Sequence, residues 1–375
     1  MSAQPSHETD AGYVMSSYLQ HIATGPEMST DLSLEDARMG MQLILEGKAH
    51  PVQAAVFLIA LRMKHESDEE YRGILEAVRS STRFSIAQVD DLIDIADPYD
   101  GFLRHLPASP FLPAVLAACG APSVSHGVEC IGPKYGITHR QILVAAGVNV
   151  DITPQQAAAR ISDPGIGWAY IDQRFYNPAL YALTGLRNLI VKRSCITTVE
   201  VMSGPVRAQG RTHLINGYVH GNYKRIYIDL ARHAGYHSAL IIKGIEGGIV
   251  PLLNKEVNCI SYIDNKNEEE CTLNPSQCGI SSGQKAAPLP EALAKSDGAR
   301  PDEAGRSQLQ RVAKEAAREG LKALQGTPGL TRDSLVYAAS ACLKHIKRFD
   351  AMATAACYVN EIIDSGEALT HFQAN

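Results

Sequence analysis

The residues of this chain whose types and spacing could do chemistry fall in a few short stretches. His126 and Gly127 end the run PSVSHG, whose β-branched texture predicts a buried strand. Ligands of open α/β sheets are met at such strand ends, although a histidine there can also serve only the core. Lys134, Gly136 and Thr138 follow in a loop that opens the helical stretch HRQILVAAG, so Thr138 can cap that helix, and the helix's amino end can receive an anion. Lys243, Gly244, Glu246, Gly247 and Gly248 come directly after the apolar run SALII, a glycine-rich turn suited to a ligand approaching the backbone or simply to a tight bend. Asp97, Asp100, Gly101 and Arg104 form a charged loop after LIDIA, readable as an ion network or as ligand contacts. Arg187, Lys192 and Arg193 flank an apolar turn, where a guanidinium could hold a phosphate or carboxylate.

A second chemistry is written in the charge distribution. The 375 residues carry a formal net charge of −5, yet between Arg187 and His233 eight Lys or Arg face two acids. Arg207, Arg211, Lys224, Arg225 and Arg232, with Lys192, could track a phosphate backbone, and Tyr218, Tyr223 and Tyr227 could stack bases. A solvated helix face with core tyrosines is the alternative. No P-loop, GxGxxG, Ser-His-Asp order or zinc signature is present, and the eight cysteines lack CxxC spacing. They read as reduced thiols in a cytoplasmic protein, the nearest exposed-looking pair being Cys271 and Cys278. No metal site is expected.

The elements that must position these residues divide the chain. A polar leader, expected to be disordered, covers 1–11, and a helical domain covers 12–83. In it Ser33 caps a helix that stops at Gly47, Pro51 opens a buried helix, and Ser67 caps a third. From 84 to 375 short apolar runs (PSVSH, GVNVDI, SALIIKG, VNCISYI) alternate with helical stretches, which predicts an α/β domain. A helical segment at about 170–195 is expected to pack near the small domain. A Pro-, Ala- and Gly-rich stretch at 284–307 reads as a flexible loop. No apolar run approaches the roughly 20 residues of a membrane span.

The segments LILEGKAHPVQAAVFLIALRMKHESDEE, SHG, AAGVNVDITPQQAA and the stretch from RDSLVYAAS to IIDSGEAL together resemble the anthranilate phosphoribosyltransferase family, of the glycosyltransferase family 3 fold. The resemblance implies a small helical domain plus a large α/β domain. It also implies a homodimer formed through the helical domains, and an interdomain cleft for phosphoribosyl pyrophosphate, magnesium and an aromatic amine. The family's glycine-rich GTGGD loop is here Asp97-Pro98-Tyr99-Asp100-Gly101, where proline removes a donor and two carboxylates oppose a diphosphate. Its KHGN motif is Ser125-His126-Gly127-Val128, and its paired Asp-Glu is reduced to Glu246 in KGIEGGIVPLLNKE. These departures resemble a second clade of the family, associated in part with nucleic-acid binding. The expectation is an atypical member that binds a phosphorylated or nucleotide-like ligand and can carry out phosphoribosyl transfer outside the tryptophan pathway. Magnesium would enter only with phosphoribosyl pyrophosphate. The rival is a homodimer that binds single-stranded nucleic acid through the basic segment and has no enzymatic activity.

Overall fold

Serine caps and close glycine contacts shape the helical part of the chain. The computed structural model describes residues 10–25, 27–264, 266–293 and 303–375; the expected leader and the 284–307 loop lie partly outside these. Two units emerge, one from the residues up to Thr82 with Asn177–Ser203, the other from Arg83–Tyr176 with Gly204–Asn375.

The first unit contains α1 (Asp10–Ile22), α2 (Leu34–Leu45), α3 (Pro51–Lys64) and α4 (Asp68–Ser80). Ser33 and Ser67 cap α2 and α4 through their side chains, and Ser67 with Glu70 completes a reciprocal capping box. α2 and α4 approach so closely at Gly73 that a Cβ there would lie 2.2 Å from the Leu34 carbonyl oxygen. The fully buried Glu70 accepts from the Leu32 amide at 2.9 Å and pairs with Lys64 at 2.7 Å. The segment expected near 170–195 falls at Asn177–Ser203 and is built into this unit. The Asn177 amide donates to the Val78 carbonyl at 2.9 Å, and Arg187 grips Glu200 with two 2.7 Å hydrogen bonds.

Among its described residues the second unit contains nine strands: β1 (Ser85–Ala87), β2 (Asp91–Ala96), β3 (Ser123–Gly127), β4 (Trp168–Asp172), β5 (Val206–Ala208), β6 (Arg211–Gly217), β7 (Ser238–Ile242), β8 (Val257–Ile263) and β9 (Glu269–Leu273). Seven form one sheet in the order β4-β3-β2-β6-β7-β8-β9, parallel from β4 to β7, with β8 and β9 added antiparallel; β1 and β5 pair separately. The chain leaves β2 toward β3 on one side and returns to build β6 and β7 on the other, so the connections diverge outside the carboxyl ends of β2 and β6. One face of the sheet presents Ile93, Ile95, Tyr170, Ile215 and Ile242 to a core shared with the helices of the C-terminal third. The other presents Leu92, Val124, Ala169 and Ile171 to the helix Pro154–Ser162 and to Tyr176.

Three sequence expectations are corrected. GVNVDI is not a strand: it is an extended connection that buries Val148, Val150 and Ile152 ahead of the next helix, while β4 at Trp168–Asp172 occupies the sheet edge beside β3. α1 begins at Asp10, so the last two positions of the expected disordered leader, Asp10 and Ala11, are helical. Cys259 and Cys271 are not reduced thiols; they face each other across the antiparallel β8–β9 pair and are joined in a disulfide, while Cys278 is free. Among the described residues, no helix is long and apolar enough to cross a membrane.

Candidate functional site

Three loops, after β2, β3 and β7, meet outside the carboxyl end of the sheet. The β2 loop turns at Gly101, whose φ of +75° suits glycine, and crosses the β3 loop at Gly136. A Cβ on Gly101 would lie 2.5 Å from the Ile137 carbonyl oxygen, and one on Gly136 would lie 2.5 Å from the Phe102 nitrogen. Phe102 and Ile137 exchange backbone hydrogen bonds of 2.9 and 2.8 Å, and the Asp100 carbonyl accepts from Gly136 at 2.8 Å.

Glu246 joins these loops to the turn after β7. Its Oε2 accepts from the Leu103 amide and its Oε1 from the Arg104 amide, both at 2.9 Å; His105 Nδ1 lies 3.1 Å from Oε1 and Lys134 Nζ 3.6 Å from Oε2. Burial alone would raise this carboxyl, but His105, the Lys134 ammonium and the two amides overcome it and hold the group at about 2. Glu246 takes a left-handed φ of 53° between Gly244 and Gly247. Lys134 also lies over the Phe102 ring, 5.5 Å from its centroid. Glu246, Gly244 and Gly247 border a hollow of about 380 Å³ whose other walls include Lys243, Lys255, Tyr218 and Asn258. Lys243 and Arg104 are exposed.

Asp97 is buried behind this assembly. One oxygen accepts from the Ile249 amide at 2.8 Å and the other lies 2.8 Å from His139 Nε2. Burial raises its carboxyl, and the His139, Ser109 and Ile249 contacts outweigh that to leave it below the usual range. Asp100 is also buried, and Thr138 caps the helix His139–Ala145 while donating to the Glu129 carbonyl at 3.0 Å.

His126 occupies the centre of a buried polar chain. Its Nε2 lies 2.9 Å from Asp94 Oδ1 and its Nδ1 2.5 Å from the Tyr99 hydroxyl, which in turn lies 2.5 Å from the Tyr176 hydroxyl. Tyr236 donates to the second Asp94 oxygen at 2.7 Å, and Arg207 stacks on the Tyr236 ring at 3.8 Å. The expectation that the His126 ring meets a ligand directly is therefore corrected: both its nitrogens are engaged inside the protein. Arg187, fully committed to Glu200, is corrected likewise, as is Glu246, whose two oxygens serve the loops. Gly127 is buried, and a Cβ there would lie 3.3 Å from the Tyr170 hydroxyl. Asp94, Tyr99, Tyr176, Tyr236, His105 and His139 were not singled out by sequence, because each acquires its role only from a partner at least 27 residues away.

Within the second unit the basic residues fall at two ends of β6, with Arg207 and Arg232 both beside Tyr262. Arg211 opens β6 and pairs with Asp91 at 2.9 Å, whereas Lys224 and Arg225 begin the helix Tyr223–His233 beyond the opposite end of that strand. Lys224 pairs with Glu270, and Arg232 stacks on Tyr262 and donates to the Lys266 carbonyl at 2.6 Å. Arg225 is exposed, as are Lys192 and Arg193 in the first unit, while Tyr218 is buried.

Residues 16–82, the helical part of the chain, match the family model described as "Glycosyl transferase family, helical bundle domain". An anthranilate phosphoribosyltransferase of Deinococcus radiodurans is 27% identical over 68% of this chain and 73% of its own. That of Acetivibrio thermocellus is 25% identical over 90% of each. The Saccharomyces cerevisiae anthranilate phosphoribosyltransferase, solved in complex with PRPP and Mg, shares the fold at a TM-score of 0.73 over 98% of both chains, with 15% identity. The chain is thus similar to anthranilate phosphoribosyltransferases over most of its length and shares their fold.

Proposed function

We propose that the α/β unit binds a phosphorylated, nucleotide-like ligand outside the carboxyl ends of β2, β3 and β7 and uses it in phosphoribosyl transfer. The observation that carries this reading is the convergence there of Lys134, the Leu103 and Arg104 amides and the glycine-rich 244–248 turn beside a hollow bordered by Lys243 and Lys255. Kinship with phosphoribosyltransferases supplies the chemistry. As the ribose C1–oxygen bond breaks, charge builds on the departing diphosphate, and fixed donors placed around it would lower the barrier. The residues present do not fit a protein-held magnesium ion. Among the described residues no three His, Cys, Asp or Glu side chains are grouped to hold a metal, and both oxygens of Glu246 are already engaged. Magnesium would arrive on the diphosphate itself.

The test is calorimetric titration with phosphoribosyl pyrophosphate, with and without magnesium, beside single-stranded DNA at two salt concentrations. The proposal expects saturable binding of the sugar phosphate, and DNA affinity at least tenfold weaker. Steeply salt-dependent DNA binding with no heat from the sugar phosphate would replace it with the nucleic-acid reading.

We also infer that two copies associate through the helical unit. Ile22, Val52, Val56, Met63, Leu186 and Leu189 line an apolar groove of about 740 Å³ there. Leu189 is 83% and Met63 72% exposed in the single chain, a concentration of apolar surface that marks an interface. The double substitution Leu189→Asp, Met63→Asp is expected to halve the mass in light scattering without changing the circular dichroism. An unaltered mass would place the contact elsewhere.

A further inference from the structure

The donors around Glu246 make up an anion site that the protein fills with its own carboxylate. Two successive backbone amides, those of Leu103 and Arg104, point at one locus, and an imidazole and an ammonium, from His105 and Lys134, face it from two directions. Successive amides in this arrangement are the general means by which proteins cradle phosphate oxygens, and a lysine beside them is the usual counter-charge. A carboxylate and a phosphate oxyanion present the same acceptor geometry to such donors.

The residue supplying the carboxylate is unusually placed to leave. It sits in the left-handed region at φ 53°, a conformation a glutamate adopts only when its surroundings hold it there, and glycines stand at 244, 247 and 248. It also borders the 380 Å³ hollow, which offers space for the side chain once it is released. Lys243 and Lys255 on the walls of that hollow would receive the displaced charge.

We propose that Glu246 is an intramolecular stand-in for the ligand's phosphate: a diphosphate or phosphomonoester takes the Leu103–Arg104–His105–Lys134 cradle by displacing the Glu246 carboxylate into the adjoining hollow. The inference rests on the reading that this end of the sheet takes a phosphorylated ligand, and adds that the site is closed in cis until such a ligand arrives. Ligand entry would then release the 102–105 loop from the turn after β7, coupling occupancy to loop order.

Inorganic pyrophosphate is the probe. Glu246→Gln, which keeps the shape and removes the charge, and Glu246→Ala, which empties the cradle, should both bind it at least tenfold more tightly than the unaltered protein in calorimetric titration. Adding Lys134→Ala to Glu246→Ala should abolish the gain. Crystals of the unaltered protein soaked in pyrophosphate should show phosphate oxygens on the Leu103 and Arg104 amides and the Glu246 side chain turned away, a result independent of whether either variant folds. Equal affinity in all three proteins overturns the displacement. So does bound pyrophosphate with Glu246 still on its amides, or no pyrophosphate binding by any of them. Phosphoribosyl pyrophosphate binding by the unaltered protein would in each of those cases leave the proposed function standing.

Discussion

Asp94→Ala is expected to destabilise the chain by about 3–5 kcal/mol, the usual cost of breaking a buried charge network by removing one partner. The melting temperature should fall by roughly 10 °C for a unit of this size. Asp94 is fully buried and accepts from His126 and Tyr236. Its loss leaves two buried donors, His126 Nε2 and the Tyr236 hydroxyl, without their acceptor. Asp94→Asn, which retains one acceptor oxygen, should lose less than the alanine variant. Tyr99→Phe deprives His126 Nδ1 of its hydroxyl partner and should cost about 1–3 kcal/mol. Urea denaturation of the three variants measures these steps. An Asp94→Ala loss below about 1 kcal/mol would mean that the chain of hydrogen bonds contributes little to the fold.

The second large effect is loss of stability in mild acid. At the amino end of the sheet, His213 Nε2 lies 2.9 Å from Asp91, His213 Nδ1 lies 2.7 Å from Ser238 Oγ, and that hydroxyl lies 2.8 Å from His345 Nε2. Burial, with smaller contributions from His213 and Lys347, pushes His345 down from 6.5 to about 3, and burial lowers His213 as well despite the Asp91 contact. In the folded protein both rings are thus held neutral where the unfolded chain would protonate them. Above pH 6.5 this costs nothing. As the pH falls toward 3, the unfolded state binds more protons and stability declines. His345 alone should remove roughly 2–3 kcal/mol between about pH 6.5 and 4.5, at about 1.4 kcal/mol per pH unit. The carboxylates held low, Asp91, Asp97 and Glu246, act on a lower range, because their contribution is lost only as the pH falls below the ordinary carboxylate values. Denaturation midpoints at a series of pH values, with His345→Gln alongside, separate the two. The variant should show a flatter profile above pH 4.5, and an unchanged slope would assign the acid sensitivity to other groups.

What could be read in advance follows the range over which each interaction acts. Ser33, Ser67 and Thr138 announce helix starts because a cap and its helix lie within four residues, and the α/β alternation is visible where a strand buried on both faces is mostly apolar, as in SALII. The family is legible in segments that shape the fold, and the altered GTGGD and KHGN positions are legible as missing donors. The same reading fails wherever a side chain is claimed by a distant partner. His126 looks like a strand-end ligand until Asp94 and Tyr99 enclose it; Arg187 looks like an anion clamp until Glu200, on the far side of a turn, takes both arms of its guanidinium. Cys259 and Cys271 are 12 residues apart, a spacing without meaning until an antiparallel hairpin sets them opposite one another. The basic run from Arg187 to His233 appears continuous in the sequence, but its part in the second unit runs along β6 and back through a helix, which sets Lys224 and Arg225 at the other end of the strand from Arg211.

The crossing of Gly101 and Gly136 has a bearing on how this protein can change. Each backbone fills the space a methyl group would need on the other, so the loops after β2 and β3 are mortised together at a joint that admits hydrogen atoms only. A length change in either loop must move the other, and neither can be exchanged for a relative's loop by itself. Anyone wishing to graft a different ligand preference onto this scaffold would have to transplant both segments as a matched pair, keeping the two glycines as the hinge pin of the graft.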